Sequence, residues 1–435
     1  MTAVIMSEPF PLSPSLWAAT APPAPATPPL NESRSADVVV IGAGYAGLST
    51  ALHLAERGTE IVVLEAQEPG WGGSGRNGGQ VIPGLKYDPD ELEEKFGPEI
   101  GGRLAAFGAG TADTVFDLIE RYRMDVPRKR SGWIQAAHTP AGVELVKRRA
   151  EQWQRRGVAG ARILDSAAAS GLIGSDRYLG GWVDPRGGAI QPLAFARGLA
   201  RAALGAGASI YGRSPVTALA RNGGKWIATT ESGARVSADR VVVCTNAYGA
   251  GLVPRLSTTI IAPNSYQVAT EPLSSNLAAA ILPEGHVSSD TRQLLFYFRL
   301  DHQNRLLMGG RGPYREPKSD KDWSHLERII GKLFPQARDV PIAYRWCGRV
   351  AITQDFLPHL HEPEPGLLID IGCMGRGVGV QTAMGRAMAD YVATGRPNTL
   401  PRPPMTIKPL PLHGLRQAYF AAIVAWYSMQ DGGLA

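Results

Sequence analysis

The sequence predicts an α/β protein in which a Rossmann-type dinucleotide-binding domain is interleaved with an α+β domain built on an antiparallel sheet. Two observations carry this reading. An apolar run at 37–41 ends in Gly42-Ala43-Gly44-Tyr45-Ala46-Gly47 and opens a helical stretch, and a second apolar run ends in the acid Glu65. Further along, helical periodicity at 104–121 and 141–156 and β-rich runs across 251–343 alternate with buried-strand patterns at 241–247 and 367–371, so neither domain is one continuous stretch.

Taken in order, residues 1–30 carry eight prolines (Pro9, Pro11, Pro14, Pro22, Pro23, Pro25, Pro28 and Pro29). They predict an extended arm with no helix, and without a basic segment ahead of an apolar core it does not read as a signal peptide. The strand at 37–41 then meets the glycine motif. Gly42 permits the tight turn, Gly44 lets backbone approach a pyrophosphate, and Gly47 lets helix and strand pack closely. The helix at 48–57, stopped by Gly58, turns free N–H groups and a partial positive charge toward the phosphates. Glu65 is placed to accept hydrogen bonds from a ribose. Its carboxylate would repel a 2′-phosphate, which disfavours an NADP-type ligand. The alternative is an ordinary βαβ unit with a glycine-rich turn, which leaves Glu65 without a role.

A second loop follows at once, Pro69-Gly70-Trp71-Gly72-Gly73-Ser74-Gly75-Arg76-Asn77-Gly78-Gly79-Gln80. So much glycine predicts positive-φ positions and exposed backbone N–H groups, able to wrap a phosphate and lie against a flat ring. With this loop the chain resembles the D-amino-acid-oxidase superfamily of FAD enzymes, and within it the γ-glutamylputrescine oxidase branch that includes L-pipecolate oxidase-like proteins. Gln267–Leu273, Phe296–Leu300 with Leu306–Gly310, and Trp346-Cys347-Gly348 followed by Gly372–Gly379 agree in order and spacing, and the resemblance covers about residues 31 to 400.

The resemblance implies a glutathione-reductase-like FAD domain over 31–86, 160–250 and 344–400, and a substrate domain over 87–159 and 251–343. It implies non-covalent FAD held by Gly42, Gly44, Tyr45, Ala46, Gly47, Glu65, Ala66, Ser74, Arg76, Asn77, Gly78, Gly79 and Gln80. Val216 belongs to the segment Ser214-Pro215-Val216 whose backbone is expected to meet the adenine, Thr245 ends a strand beneath the cofactor, and Gly348 belongs to the tryptophan–cysteine–glycine segment. Gly375, Arg376, Gly377, Val378 and Gly379 open a helix whose positive end stabilises reduced flavin. Cys347 is read as a buried structural cysteine and not a covalent flavin attachment point.

The implied chemistry is oxidation of a C–N bond by hydride transfer to flavin N5, with O2 or quinone as electron acceptor. Candidate substrates are γ-glutamylated polyamines and cyclic imino acids such as L-pipecolate; the alternative is a catalytically silent flavin-bound assembly or binding protein. The substrate must react as a neutral amine, which an apolar aromatic pocket favours. Tyr266, Phe296, Tyr297 and Phe298 supply such material, and on a strand Tyr297 and Arg299 share one face. Tyr297, Arg299 and Tyr266 are therefore the expected substrate contacts, Arg299 as a carboxylate clamp, with Arg349 and Arg311 as weaker rivals.

Composition excludes other classes. Hydrophobic residues make up 44% and charged residues 19% of 435 positions, and the net charge of +6 is not gathered into basic runs with aromatics, so no nucleic-acid surface is expected. Three separated cysteines, Cys244, Cys347 and Cys373, suit a reducing compartment, and no spacing suggests a metal. Residues 401–435 form a proline-rich linker and an apolar helix too short to span a bilayer. That helix is expected either to dock on protein or to give peripheral membrane contact through 412–430. The expected location is cytoplasmic, or peripheral on the inner face of the cytoplasmic membrane.

Overall fold

A computed structural model describes residue 12 and residues 14–249 and 251–431. Its first sheet is built around the parallel strands Arg34–Ile41 and Ile61–Leu64. The strand Ser209–Tyr211 extends it on one side. On the other, Arg235–Val243 pairs with Arg34–Ile41 in parallel and with Leu367–Ile371 beyond it, while Lys225–Thr230 and Val216–Asn222 add an antiparallel flap. Val39, Val40, Val63, Val242 and Val243 are wholly buried, as strands covered on both faces require. The helices Tyr45–Ala55, Pro192–Gly205 and Gly377–Thr394 contribute to the core on one face of this sheet.

The second sheet runs Ile342–Arg349, Asn264–Pro272, Arg305–Arg311, Tyr297–Leu300, Val287–Asp290, Trp133–Ala137, Gly180–Asp184, Arg162–Leu164. All its pairings are antiparallel except that between Val287–Asp290 and Trp133–Ala137. A small third sheet joins Gln80–Val81, Gly188–Ile190 and Arg128–Lys129.

Three expectations are corrected by this architecture. Arg162–Leu164 and Gly180–Asp184 were assigned to the dinucleotide domain, yet they pair into the second sheet, as does Ile342–Arg349, which the expected boundary at 343/344 cuts in two. The helix Pro89–Arg121, kinked at Gly97 with φ 76°, was assigned to the substrate domain. Its later part, including Val115, Phe116 and Ile119, instead packs in the same core as Tyr45–Ala55 and Gly377–Thr394.

The third concerns the arm. Residues 1–11 and 13 lie outside the described residues, but Leu16–Thr20 is a short helix, capped by Ser15 Oγ accepting from the Ala18 N–H at 3.1 Å. Five residues cannot sustain a helix alone. Burial of Leu16 and Trp17 against Leu193, Leu307 and Trp346 holds it, at roughly 1.5–3 kcal/mol for a large apolar side chain.

The C-terminal helix, Arg416–Gln430, buries Phe420 alone. Among the described residues no helix is long and apolar enough to cross a membrane.

Candidate functional site

The glycine motif forms a cradle that side chains would fill. Gly42 has φ +102°, and a Cβ there would lie 2.8 Å from the Cys244 carbonyl oxygen; a Cβ on Gly47 would collide with the Gly42 carbonyl. Thr245 follows Cys244, and its backbone nitrogen closes the same side of Gly42. Glu65 accepts from the Ala43 N–H at 2.7 Å and the Gln67 N–H at 3.0 Å. Burial raises its pKa. Ser214 donates its N–H to the Glu65 carbonyl at 2.8 Å, which brings the segment leading into Val216 beside the acid. Ala66 is exposed next to Glu65.

The loop at 70–80 closes over this cradle through its polar side chains. Ser74 Oγ accepts from the Tyr45 N–H at 3.0 Å, so the first turn of the helix is not wholly free, as the sequence had suggested. Asn77 is the loop's staple. Its Nδ2 donates to Tyr45 Oη at 3.2 Å, Gly73 O at 3.1 Å and Ser74 O at 2.9 Å, and its Oδ1 accepts from the Gly79 N–H at 2.8 Å. Arg76 lies over Trp71, 4.2 Å from the ring centroid, and donates to the Trp71 carbonyl at 2.8 Å. The Arg76 carbonyl accepts from Gln267 Nε2 at 2.6 Å and Trp346 Nε1 at 3.1 Å, which docks the loop onto the second sheet. Gly348 sits against Arg76 at this joint. Gln80 donates to the Ser288 and Phe298 carbonyls at 3.0 and 3.1 Å, so its amide serves that sheet.

Register decides which residues of the second sheet face the loop. Gln267 pairs with Gly309 and Trp346, Gly309 pairs with Tyr297, and Ser265 pairs with Gly348 and Arg311. Ser265, Gln267, Tyr297, Arg299 and Arg311 therefore share the face toward the loop. Tyr297 Oη and Ser265 Oγ are hydrogen-bonded at 2.9 Å, and the Tyr297 ring covers Gly309 and abuts Gly78. Burial raises the tyrosine's pKa.

Tyr266 must be removed from the expected contacts. It pairs with Gly310 and Cys347 on the opposite face, fully buried, with its hydroxyl on the Arg315 carbonyl at 3.1 Å and its ring 5.1 Å from that of Trp323. Phe296 and Phe298 lie in the same core. Side-chain alternation put the tyrosine one position out. Arg299 is on the expected face but enclosed: it donates to the Ile190 carbonyl at 2.9 Å under the Trp17 ring, and burial lowers its pKa to about 10.

At the far end, Gly375 has φ +76° and Gly377 and Val378 begin the helix Gly377–Thr394. Gly379 packs against Thr111 of the long helix. Arg376 donates to the Pro83 carbonyl and lies 5.3 Å from the Trp133 ring, and burial lowers its pKa to about 10. Asn246 Oδ1 accepts from the Gly372 N–H at 3.1 Å, and Tyr248 Oη accepts from the Arg349 N–H at 3.0 Å while facing Gly72 and Gly73. Sequence reasoning missed Ser265, Asn246, Tyr248 and Trp17. Gln267 opened a quoted segment but was given no role. Alternation from Tyr297 through the paired strand would have found Ser265 and Gln267; nothing in the proline-rich context pointed to Trp17. No group of three or more His, Cys, Asp or Glu side chains suited to a metal occurs among the described residues.

The chain is similar to known proteins along most of its length. Residues 37–391 match the family described as FAD dependent oxidoreductase. The chain is 34% identical over 368 residues to gamma-glutamylputrescine oxidoreductase of Escherichia coli (strain K12), covering 83% of this chain and 85% of that protein. It is 32% identical over 430 residues to probable oxidoreductase OrdL of Rhizobium meliloti (strain 1021), covering 97% and 98%. Among solved structures, glycine oxidase from Geobacillus kaustophilus superimposes with a TM-score of 0.69 at 22% identity, over 82% of this chain and 95% of that one, a likeness of fold.

Proposed function

The chain belongs to the family of FAD-dependent oxidoreductases, and from that premise we propose that it oxidises a C–N bond of an amine or imino acid, either a γ-glutamylated polyamine or a cyclic imino acid such as L-pipecolate. The residues present suit FAD. The Gly42 and Gly47 positions tolerate no side chain, Glu65 sits beside them, and Asn77 fixes a glycine-rich loop above. Gly42, Gly44, Gly47 and Glu65 would hold the adenosine and pyrophosphate half, and the loop at 74–79 with Gly375–Gly379 the flavin half. When bound, FAD supplies a two-electron hydride acceptor.

This chain's residues supply the rest. The loop-facing side of the second sheet offers Tyr297 and its hydrogen-bonded partner Ser265, an enclosed face with the cation Arg311 paired beside Ser265. Burial and a neighbouring cation both favour the neutral amine, whose lone pair assists departure of hydride from the adjacent carbon. The C–H bond breaks, a C=N bond forms, one proton leaves the nitrogen, and water hydrolyses the imine or it cyclises. The two electrons end on O2 as H2O2 or on a quinone as quinol.

The observation that carries this reading is the docking of the loop onto the sheet face bearing Ser265 and Tyr297, through Gln267 and Trp346. An anaerobic visible spectrum of the purified holoprotein tests it. Bleaching of the flavin by γ-glutamylputrescine, L-pipecolate or L-proline supports the reading; a flavin spectrum that no amine bleaches sinks it in favour of a silent binding protein. Air or quinone reoxidation then names the acceptor.

Peripheral membrane contact is a finer part of the same proposal, and it is supported by the exposure of Leu412, Leu415, Ile423, Trp426 and Met429 beside Arg416. Failure of the full chain to cosediment with anionic vesicles would end it, and cosedimentation that survives deletion of 412–431 would take it away from this helix.

A further inference from the structure

The N-terminal arm is tied to three of the segments that would hold FAD. At the glycine-rich loop, Trp17 Nε1 donates to the Asn77 carbonyl at 2.7 Å. Midway, Arg197 Nη1 donates to the Pro22 carbonyl at 2.6 Å while its Nη2 meets Glu68 at 3.2 Å, in the segment that Glu65 opens. Arg201 donates to the Pro23 carbonyl. At the adenine end, the Leu30 N–H donates to Ser214 Oγ at 2.9 Å. Thr27 and the Gln67 carbonyl close on Gly212 there, where a Cβ would lie 2.8 Å from both Thr27 Oγ1 and Gln67 O.

The arm is held by side chains and is not woven into either sheet. Residues 22–30 form no helix or strand, and among the described residues no backbone–backbone hydrogen bond joins them to the rest of the chain. Gln191 Nε2 fixes the short helix Leu16–Thr20, donating to the Trp17 carbonyl at 2.9 Å and to Thr20 Oγ1 at 3.2 Å. Leu16, Trp17, Thr27 and Leu30 are buried, so the docked arm is closed against water along its length. A segment attached in this way can peel off as a unit and leave both sheets intact. Its prolines keep the freed chain near its extended, docked shape, so docking again costs little conformational entropy. Lifting the loop from the glycine cradle, by contrast, breaks the bond between Asn77 and Trp17.

We propose that residues 15–30 are a retaining strap for FAD: docked, they hold the loop at 70–80 and the segments at 65–68 and 212–216 in place around the cofactor, and their undocking sets the rate at which FAD leaves. Trp17, Arg197 and Arg201 are positioning residues in this device, the first acting through Asn77 and the other two through the carbonyls of Pro22 and Pro23. The strap depends on FAD as the ligand and is indifferent to which amine is oxidised.

The test follows the loss of labelled FAD from the holoprotein into excess unlabelled FAD. Trp17→Ala and, separately, Arg197→Met combined with Arg201→Met are each expected to speed release on the order of tenfold. Glu68→Gln leaves Arg197 on the Pro22 carbonyl and is expected to keep the parent rate. Backbone hydrogen exchange over 15–21 is expected to be slower in the holoprotein than in the apoprotein, because a ligand held by the docked arm holds the arm docked in turn. Release as slow as the parent's in either folded variant overturns the strap, as does equal exchange over 15–21 with and without FAD. Release in Glu68→Gln as fast as in the double variant assigns the effect to Glu68 and overturns it too. Should Trp17→Ala fail to fold, the double variant, which keeps Trp17, decides alone. Neither measurement uses a substrate, so a flavin that no amine bleaches sinks the functional reading and leaves the strap to be judged on these rates.

Discussion

The indole N–H of Trp17 donates a 2.7 Å hydrogen bond to the carbonyl oxygen of Asn77, tying the start of the chain to the staple of the glycine-rich loop. The same indole meets Trp346 edge-on at 5.7 Å and lies 5.0 Å from the Arg299 guanidinium. The loop is thus clamped between the N-terminal helix and the second sheet.

Trp17→Ala removes the clamp and a buried aromatic together. It is expected to cost about 3–5 kcal/mol of stability and to lower the flavin retained through gel filtration. Trp17→Phe keeps most of the packing and loses the hydrogen bond, at a cost of about 1 kcal/mol. Thermal melts and the flavin-to-protein absorbance ratio distinguish the two. Full flavin retention in Trp17→Ala would show that the loop holds without the arm.

Gly47 and Gly102 make a matched pair. A Cβ on Gly47 collides with the Gly42 carbonyl, whereas Gly102, within Pro89–Arg121, has nothing within 4 Å of the equivalent position. Gly47→Ala should yield protein without flavin, or insoluble protein, because the helix can no longer approach the turn. Gly102→Ala should stabilise by roughly 0.5–1 kcal/mol through helix propensity. Flavin content and melting temperature of the two variants check both statements.

The parts of the site that could be read from the chain were the local ones. The strand at 37–41, the turn at Gly42 and the acid Glu65 lie within thirty residues, and each has a backbone reason to be where it is. The assignment of Tyr266 failed because facing depends on pairing with Gly310 and Cys347, strands distant in sequence. The strands Arg162–Leu164 and Gly180–Asp184 were misassigned for the same reason, since a short buried run does not declare its partner. Trp17 was hidden by its prolines, whose local preference is overridden by burial beside Leu193 and Trp346.

Asp370 gives stability a pH dependence. It is 1% exposed, on the strand Leu367–Ile371, and among the described residues neither carboxylate oxygen has a hydrogen-bond partner; burial raises its pKa to about 8. A folded pKa above the unfolded one means that the contribution is complete below about pH 4 and is lost as pH rises toward 8. Asp370→Asn, which does not ionise, should raise the melting temperature at pH 9 relative to the parent and bring little gain at pH 4 to 5. Equal effects at both pH values would mean that the carboxyl ionises freely in the folded protein.

Cys347 pairs with Tyr266, which puts its thiol in the core of the second sheet on the face away from Ser265 and Gln267, and burial pushes its pKa up to about 11. A thiol held protonated is a poor nucleophile, and one on the far face does not meet a ring lying against the loop. Acid or heat denaturation of the holoprotein should therefore leave all the yellow colour in the supernatant, and Cys347→Ala should keep its full complement of flavin. Colour that stays with the precipitate in the parent and is lost in Cys347→Ala would require the strand Ile342–Arg349 to present its other face to the cofactor.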